Sequence, residues 1–434
     1  MTNSIDFDRP ACPLAGQCGG CLHQGIPYEA QVTSKDKQMR RLFDKHDFDP
    51  SVYEGLVPAL SEYGYRNKME YTFGDFTKDG PLELGMHVKG RFMSIVTCDM
   101  CQLVPEDFNR ILRATLDFAT DRGYQFFHRK THEGLLRNLI LRHGVKTGEL
   151  LVNIVTSSQD GSNPDRPDIT SSTEPFDEAA FLSLLQSLSL DNRIVGVIRT
   201  YNDCAADAVI NEGVRILSGR DYYTEEILGL RFKVNAFSFF QTNIRAIERL
   251  YSDALTFIPD IDRKTVYDLY CGTGTISQLM AKRAKTVYGI EIVQDSVDAA
   301  IDNTALNGID NCHFLCGDVK TELDKLPEPP EVIVVDPPRV GMHDKVVDLL
   351  AGYGIEQILY ISCNPTTLFL NLDRLRLHGY EPVRMRAYDN FPLTKHVETV
   401  VCLSNKNVKP KDYVEIGVDA EDYYRIKDSG KESK

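Results

Sequence analysis

The second half of the chain alternates short apolar runs with helical segments, and this alternation restricts the fold more than any other feature. The runs, which read as strands, are Thr265–Leu269, Thr286–Ile290, His313–Cys316, Val332–Val335, Gln357–Ile361 and Glu398–Leu403. Strands that alternate with helices form a parallel sheet covered by helices on both faces. The sequence therefore predicts an α/β domain with a doubly wound sheet, whose ligands bind at the carboxyl ends of the strands.

Composition divides the rest of the chain. Residues 1–24 are rich in Cys and Gly, and residues 25–50 form a charged helical segment expected to pack on the α/β domain. Residues 51–235 alternate β-like runs with turns, which predicts an α+β central domain that includes the 1–24 loop. The α/β domain then covers residues 236–405, and residues 406–434 are a charged tail.

The overall composition indicates an intracellular location. The N-terminus lacks the basic and apolar regions of a signal peptide, and no apolar run is long enough to span a bilayer. We therefore expect a cytoplasmic protein without membrane contact, in which the eleven cysteines do not form a disulfide framework.

A net charge of −14 argues against indiscriminate nucleic-acid binding, but a local basic patch can still bind RNA. Residues 129–146 contain such a patch, with five basic side chains against Glu133: Arg129, Lys130, Arg137, Arg142 and Lys146. A solvated pair of strands explains the same pattern equally well.

Acidic residues end three successive predicted strands. Asp268 precedes a turn that contains Gly272 and Gly274, Glu291 follows 23 residues later, and Asp318 ends the third strand. Glycines allow the backbone to approach a ligand, and a carboxylate after the second strand binds ribose hydroxyls. Helix capping explains each carboxylate singly but explains the ordered set poorly. A dinucleotide site would carry a third glycine, which is absent, and the set resembles the S-adenosylmethionine site of class I methyltransferases.

Three further side chains end the later strands. Asp336 ends the fourth strand before two prolines, Cys363 ends the fifth strand before a helix, and Glu398 begins the last strand. A thiol in front of a helix N-terminus is favoured as thiolate, because that end of the helix carries partial positive charge. A buried structural cysteine is the alternative reading.

Four motifs together resemble the RNA uracil-5-methyltransferase family. They are Phe-Phe-Gln at 239–241, DPPR at 336–339, SCNP at 362–365 and HVETV at 396–400. The resemblance runs from Cys12 to Leu403. N-methylating enzymes carry Asp-Pro-Pro-Tyr and need no cysteine, and DNA cytosine-5 enzymes carry their cysteine in a Pro-Cys context, so neither fits as well.

The resemblance implies a role for each matching residue. Cys363 is the nucleophile that adds to C6 of uracil, and Glu398 is the base that removes the C5 proton. Phe239 stacks on the target base, and Asp336 hydrogen-bonds the uracil edge beside the cofactor. S-adenosylmethionine is the cofactor, and the residues expected to bind it are Gln241, Tyr270, Gly272, Glu291, Asp318 and Asp336.

The N-terminal cysteines have the spacing of a metal site. Cys12, Cys18 and Cys21 are separated by five and two residues, and the fourth ligand is either Cys98 or Cys101. Spacing alone leaves zinc and an iron–sulfur cluster open. The resemblance to the cluster-bearing branch implies a 4Fe–4S cluster with Cys101, which precedes Gln-Leu-Val-Pro, as the fourth ligand.

We expect the central domain to contact the RNA substrate. Many relatives begin with a β-barrel RNA-binding module, whereas here residues 65–68 and the 129–146 patch of the central domain are the candidates for RNA contact. The resemblance implies a monomeric enzyme that methylates C5 of a specific uridine in ribosomal RNA, with the 23S molecule expected. The alternatives are methylation of uridine 54 of transfer RNA and an inert RNA-binding assembly factor.

Overall fold

The structure, a computed structural model, describes residues 10–206 and 208–407. Residues 1–9 of the predicted N-terminal loop and 408–434 of the predicted tail lie outside the described residues. The helices are α1 Tyr28–His46, α2 Glu106–Asp121, α3 Glu178–Ser187, α4 Ile244–Thr256, α5 Thr275–Ala281, α6 Gln294–Leu306, α7 Val319–Glu322, α8 Asp344–Gly352 and α9 Pro365–Leu377. Within the described ranges, none of these helices combines the length and the apolar character needed to cross a membrane.

The strands form one eight-stranded sheet, one seven-stranded sheet and a hairpin. Their bounds are β1 Tyr53–Val57, β2 Lys68–Asp75, β3 Leu82–Val88, β4 Arg91–Thr97, β5 Leu136–Gly144, β6 Glu149–Thr156, β7 Arg193–Tyr201, β8 Val214–Gly219, β9 Tyr222–Ile227, β10 Leu230–Asn235, β11 Thr265–Leu269, β12 Thr286–Glu291, β13 Cys312–Cys316, β14 Val332–Val335, β15 Gln357–Ser362, β16 Tyr380–Tyr388 and β17 Glu398–Asn405.

The eight-stranded sheet contains the predicted parallel strands. Its order is β1-β16-β17-β15-β14-β11-β12-β13, and β11 to β15 are mutually parallel. Strand β17 runs antiparallel to both neighbours. Strands β11, β14 and β15 are buried along their whole length, because helices cover both faces of the sheet. The predicted α/β domain with a doubly wound sheet is confirmed, and its sheet is Rossmann-like.

The N-terminal segment contributes to this same sheet. Strand β1 pairs in parallel with β16 at the edge, although it falls within the range 51–235 assigned to the central domain. Helix α1 packs beside it, with Phe43 edge-on to Phe369 of α9 at a centroid distance of 5.1 Å. The apolar faces of α1 and β1 are therefore buried by the α/β domain, which moves the boundary of the central domain beyond Val57.

The seven-stranded sheet forms the central α+β domain, in the order β4-β3-β2-β5-β6-β7-β8. Neighbouring strands are antiparallel except for β6 and β7. The hairpin of β9 and β10, also within 51–235, lies outside this sheet. Phe232 and Val234 of β10 share a buried cluster with Ile247 and Leu250 of α4, so the hairpin is packed into the start of the α/β domain.

Each of the two segments expected to contact RNA, residues 65–68 and 129–146, has buried members. Arg137 and Arg142 are buried, and their guanidinium groups donate to main-chain carbonyls such as Asn202 O and Ala236 O. Tyr65 and Asn67 of the 65–68 segment are also buried. At Arg137 and Arg142 the expected exposed patch is wrong, because these two guanidinium groups donate to carbonyls inside the fold. Lys130 and Lys146 of the same range are exposed.

Candidate active site

Cys363 and Glu398 are brought together by the pairing of β15 with β17. The last pair of this antiparallel ladder is Ser362 with Thr399, and the Thr399 hydroxyl donates to Ser362 O at 3.1 Å. One step further, Cys363 leaves β15 where Glu398 begins β17. Residues 35 positions apart in the sequence thus become neighbours across the ladder.

Cys363 stands directly before helix α9. Asn364 caps this helix, accepting from Thr366 N at 3.1 Å, and Pro365 is its first residue, where a missing N–H costs nothing. The Asn364 amide also donates to Arg339 O at 2.9 Å, which joins the SCNP turn to the DPPR turn. The two motif turns therefore form one connected unit around the thiol.

The predicted preference for thiolate is not found. Burial raises the pKa of Cys363 to about 11, and the negative charges of Glu398 and Asp336 act in the same direction. Arg339 opposes them through its charge and a hydrogen bond to the thiol. Burial and the two carboxylates outweigh Arg339, so the pKa of the thiol is raised, whereas the helix end alone predicted that it would be lowered.

Three acidic side chains with raised pKa values line the centre of the sheet edge. Burial raises the pKa of Glu398 to about 8, with a further contribution from Asp336. Burial likewise raises the pKa of Asp336 to about 7, with Asp268 adding to it, and that of Asp268 to about 7. Such grouped carboxyl groups with shifted pKa values are typical of catalytic sites.

Tyr251 was missed in the sequence and lies among these groups. It is buried on α4, its hydroxyl accepts from Gln241 Nε2 at 3.1 Å, and its pKa is raised by burial and then by Asp336 and Glu398. Tyr251 is thus hydrogen-bonded to the predicted cofactor residue Gln241 and lies close enough to both carboxylates for their charges to raise its pKa. The signal available in the sequence was the hydroxyl of Tyr251 on the otherwise apolar face of α4.

The glycine turn after β11 is held by Glu291. Tyr270, Gly272 and Gly274 have φ values of 65°, 53° and 73°, a conformation that requires glycine or costs strain. Glu291 Oε2 accepts from Gly272 N at 3.1 Å, and Oε1 accepts from Val293 N at 3.0 Å. A Cβ at Gly272 would meet no atom within 4 Å, so the space beside this glycine is open.

Asp318 lies at the edge of the same region. It is exposed and caps α7, accepting from Lys320 N at 2.9 Å, as the capping alternative predicts. Its charge also raises the pKa of Tyr270, after burial. Asp318 is therefore both a helix cap and a neighbour of the glycine turn.

Phe239 is the most exposed aromatic side chain near these groups, at 73%. Its loop is nonetheless fixed, because Arg142 Nη2 donates to Ala236 O and Ser238 O, each at 2.8 Å. Phe240 next to it is buried against Phe232. An exposed ring on a rigid loop can stack on a planar ligand.

The N-terminal cysteines converge on one pocket of the central domain. Five thiols line it, namely those of Cys12, Cys18, Cys21, Cys98 and Cys101. Cys18 Sγ and Cys98 Sγ are 3.9 Å apart, and the Cys98 thiol donates to Val96 O at 3.3 Å. Within residues 10–206 and 208–407, no group of three His, Cys, Asp or Glu side chains is spaced to hold a metal ion. The four predicted ligands therefore share a pocket without forming such a group.

Comparisons with known proteins agree on one family. The model for tRNA (uracil-5-)-methyltransferase matches residues 328–406, which include Asp336, Cys363 and Glu398, and a general methyltransferase domain model matches residues 261–348. An uncharacterized RNA methyltransferase of Clostridium acetobutylicum is 42% identical, with 94% of this chain and 86% of the relative covered. The chain belongs to the RNA uracil-5-methyltransferase family. It is accordingly an RNA methyltransferase.

Other relatives cover the chain to a similar extent. An uncharacterized RNA methyltransferase of Caldanaerobacter subterraneus is 43% identical over 90% of this chain and 83% of the relative. The crystal structure of the Pyrococcus abyssi tRNA (uracil-54, C5)-methyltransferase in complex with S-adenosyl-L-homocysteine has a TM-score of 0.70 and 26% identity. That comparison covers 91% of this chain and 87% of the archaeal enzyme, so the family fold extends over both domains.

Proposed function

We propose that this RNA methyltransferase transfers a methyl group to C5 of a uridine through a covalent adduct between Cys363 and C6 of the uracil. The observation that carries the proposal is the position of Cys363 at the end of β15, beside Glu398 and near Asp336. A nucleophile and a base in one site are what this chemistry needs, since C5 of uracil is nucleophilic only after a thiolate has added at C6.

The steps use the three groups in turn. The Cys363 thiol gives its proton to solvent water while Arg339 stabilises the thiolate. The sulfur then forms a bond to C6 as the electron pair of the C5–C6 double bond moves onto C5 and O4. C5 then forms a bond to the methyl group, and the bond from this methyl group to the donor's sulfonium would break, leaving a neutral thioether. Glu398, with its pKa raised to about 8, removes the C5 proton, and the electron pair restores the C5–C6 double bond as the bond from C6 to sulfur breaks. Asp336, with a pKa of about 7, can donate a hydrogen bond to the uracil edge when protonated or accept one when ionised. Phe239 can stack on the uracil ring.

S-adenosylmethionine is the proposed methyl donor, and it supplies an electrophilic methyl group on a sulfonium. The Pyrococcus abyssi relative supports this, because its complex contains S-adenosyl-L-homocysteine. In this chain we assign Glu291 to bind the ribose of the methyl donor. The turn at Tyr270 and Gly272 is assigned to contact the donor closely. Asp318 is assigned to the adenine end, and Gln241 and Asp336 to the end beside the uracil.

We assign ribosomal RNA as the substrate. The central domain of the protein would bind this RNA, and the exposed Phe239 would hold a specific uridine. We assign the enzyme as a monomer. Transfer RNA uridine 54 is the second candidate, and the likeness to the archaeal transfer RNA enzyme favours it. Incubation of the purified protein with labelled S-adenosylmethionine and either 23S or transfer RNA transcripts tests both. Label in 5-methyluridine of one transcript identifies the substrate class, and label in neither contradicts the proposal.

We further propose a 4Fe–4S cluster in the cysteine pocket, held by Cys12, Cys18, Cys21 and Cys101. The pocket fits such a group, because a cubane cluster spreads its ligand sulfurs more widely than one metal ion does, and apolar side chains such as Leu14, Met69 and Met86 line the rest of it. A cluster with four thiolate ligands would supply structural cross-links between residues 12–21 and the segment after β4.

A further inference from the structure

An aromatic side chain is displayed at the tip of the β3–β4 hairpin in the central domain. Phe92 is 62% exposed. Its ring stacks flat on the His87 ring, with centroids 5.0 Å apart and planes within 5°. The Arg129 guanidinium carbon lies 4.6 Å from the Phe92 centroid. These two contacts fix the orientation of a ring that remains open to solvent.

The surroundings of Phe92 are basic. Lys89, Arg91 and Lys130 are exposed next to it in the β3–β4 hairpin and in the turn that follows Arg129. Glu133, at the other end of that turn, is the acidic neighbour, and its carbonyl accepts from His128 N at 2.7 Å. An exposed aromatic ring among basic side chains is the composition of surfaces that stack and neutralise single-stranded nucleic acid.

A short peptide connects this hairpin to the active site. Gly19 N donates to His87 O at 3.0 Å, and three residues later Leu22 N donates to Leu393 O at 2.9 Å. Three residues span at most about 11 Å. Leu393 lies in the 389–397 loop that leads directly into Glu398. The hairpin and the active site are therefore near enough for one RNA strand to reach both.

We propose that Phe92, supported by His87 and Arg129, is a stacking platform for an unpaired base of the substrate RNA outside the target uridine. The proposal rests on the proposed function, since it concerns the same substrate. A base stacked on Phe92 extends the flat pair of rings, while Lys89, Arg91 and Lys130 are placed for the flanking phosphates.

The test uses the full chain, prepared without oxygen, and the transcript that the wild-type enzyme methylates. Phe92→Leu keeps an apolar side chain but removes the ring, and we expect RNA affinity to fall about tenfold, within the range for loss of one stacked base. Phe92→Tyr keeps the ring and should bind within about twofold of wild type. Leu377→Ala, an 81% exposed apolar side chain at the far end of α9, is the matched control and should bind normally.

Salt dependence separates stacking from charge. Arg91→Gln should reduce the slope of log affinity against log salt, whereas Phe92→Leu should lower affinity at every salt concentration with the slope unchanged. Photocrosslinking of 4-thiouridine RNA to the wild-type enzyme should also label the tryptic peptide 92–110, which begins at Phe92. This second measurement needs no variant and therefore does not depend on the folding of one.

Unchanged affinity in Phe92→Leu, or an unlabelled 92–110 peptide, overturns the platform and points to a protein-binding role for the hairpin. An equal loss of RNA affinity in Phe92→Leu and Phe92→Tyr overturns it as well, because a base can stack on a tyrosine ring as it does on phenylalanine. If the wild-type protein methylates neither transcript, the proposed function itself fails. If the wild-type protein methylates RNA normally and Phe92→Leu does not change RNA affinity, only the platform proposal is overturned.

Discussion

Cys363 and Glu398 lie on adjacent antiparallel strands, one step beyond the pair formed by Ser362 and Thr399. The ladder fixes the distance between the proposed nucleophile and base with backbone hydrogen bonds instead of with a flexible loop. Glu398 is buried and Cys363 is half-buried, so a substrate reaches the thiol before it reaches the carboxylate. This order of access matches the order in which the two groups are proposed to act.

Replacement of the proposed base should trap the reaction. In Glu398→Gln, addition and methyl transfer proceed but the C5 proton stays, so methylated RNA should remain bonded to Cys363. A denaturing gel with labelled RNA and S-adenosylmethionine should show a slow-migrating adduct. Cys363→Ala and the double variant should show neither adduct nor product. Normal turnover by Glu398→Gln would assign the base to another group.

Loss of the proposed ribose ligand should weaken cofactor binding. Glu291→Ala should reduce S-adenosylmethionine affinity tenfold or more, because hydrogen bonds to a charged group contribute about 1.5–3 kcal/mol. Glu291→Gln can still accept from Gly272 N, so it separates loss of charge from loss of the turn. Calorimetric titration measures both, with the exposed helix residue Asp295→Asn as control. Wild-type affinity in both Glu291 variants would remove this residue from the site.

Arg339 should set the pH at which the enzyme becomes active. Its positive charge lowers the pKa of both Cys363 and Glu398, against the burial that raises them. Both groups act in their deprotonated forms, so kcat/KM should rise with pH, and Arg339→Gln should move this rise to higher pH. Activity would then fall more at pH 7 than at pH 9. Lys395→Gln removes a nearby exposed charge and should leave the profile in place; identical profiles for all three proteins would exclude this role.

The cysteine pocket should contain iron. Protein purified without oxygen should be brown, and alanine at Cys12, Cys18, Cys21 or Cys101 should reduce its iron content. Cys98→Ala should retain iron, because Cys101 and not Cys98 is the proposed fourth ligand. Elemental analysis and visible absorption measure this. Zinc without iron in the anaerobic wild-type protein would contradict the cluster.

The buried ion pair between α1 and the 389–397 loop should be essential for stability. Lys35 Nζ lies 2.6 Å from Asp389 Oδ1, and both side chains are almost fully buried. Lys35→Met leaves the Asp389 charge unpaired, which typically costs about 3–5 kcal/mol. Thermal unfolding should show that Lys35→Met is clearly less stable than wild type. Adding Asp389→Asn in a double variant should restore part of this stability. The exposed pair of Arg40 and Asp36 is the control, where Arg40→Met should cost less than about 1 kcal/mol.

Much of the α/β fold was predictable because parallel strands buried on both faces are continuous apolar runs, as Val332–Val335 illustrates. The carboxyl ends of such strands meet at one edge, so Asp268, Glu291 and Asp336 were expected to lie near one another. The edge strands were harder to recognise. Tyr53–Val57 is half-buried and contains a glycine, and nothing local indicates that its partner is β16.

Electrostatic properties were not predictable in the same way. The sequence shows that Arg137 and Arg142 are charged, but whether they face water or internal carbonyls depends on tertiary packing. The pKa of Cys363 similarly depends on how closely Glu398, Asp336 and Arg339 approach it, and each comes from a different element. Local motifs identified these residues, but the fold determines how they affect one another.

The pairing of β1 with β16 also has a consequence for how the chain acquires its structure. Tyr53 is matched with Met385, 332 residues later, so the ribosome completes the entire central domain before this contact can form. Contacts at such separations slow folding, because a long loop must close first. We expect newly made chains to hold α1 and β1 exposed until synthesis is almost finished, which makes this N-terminal segment the natural binding site for a chaperone during translation.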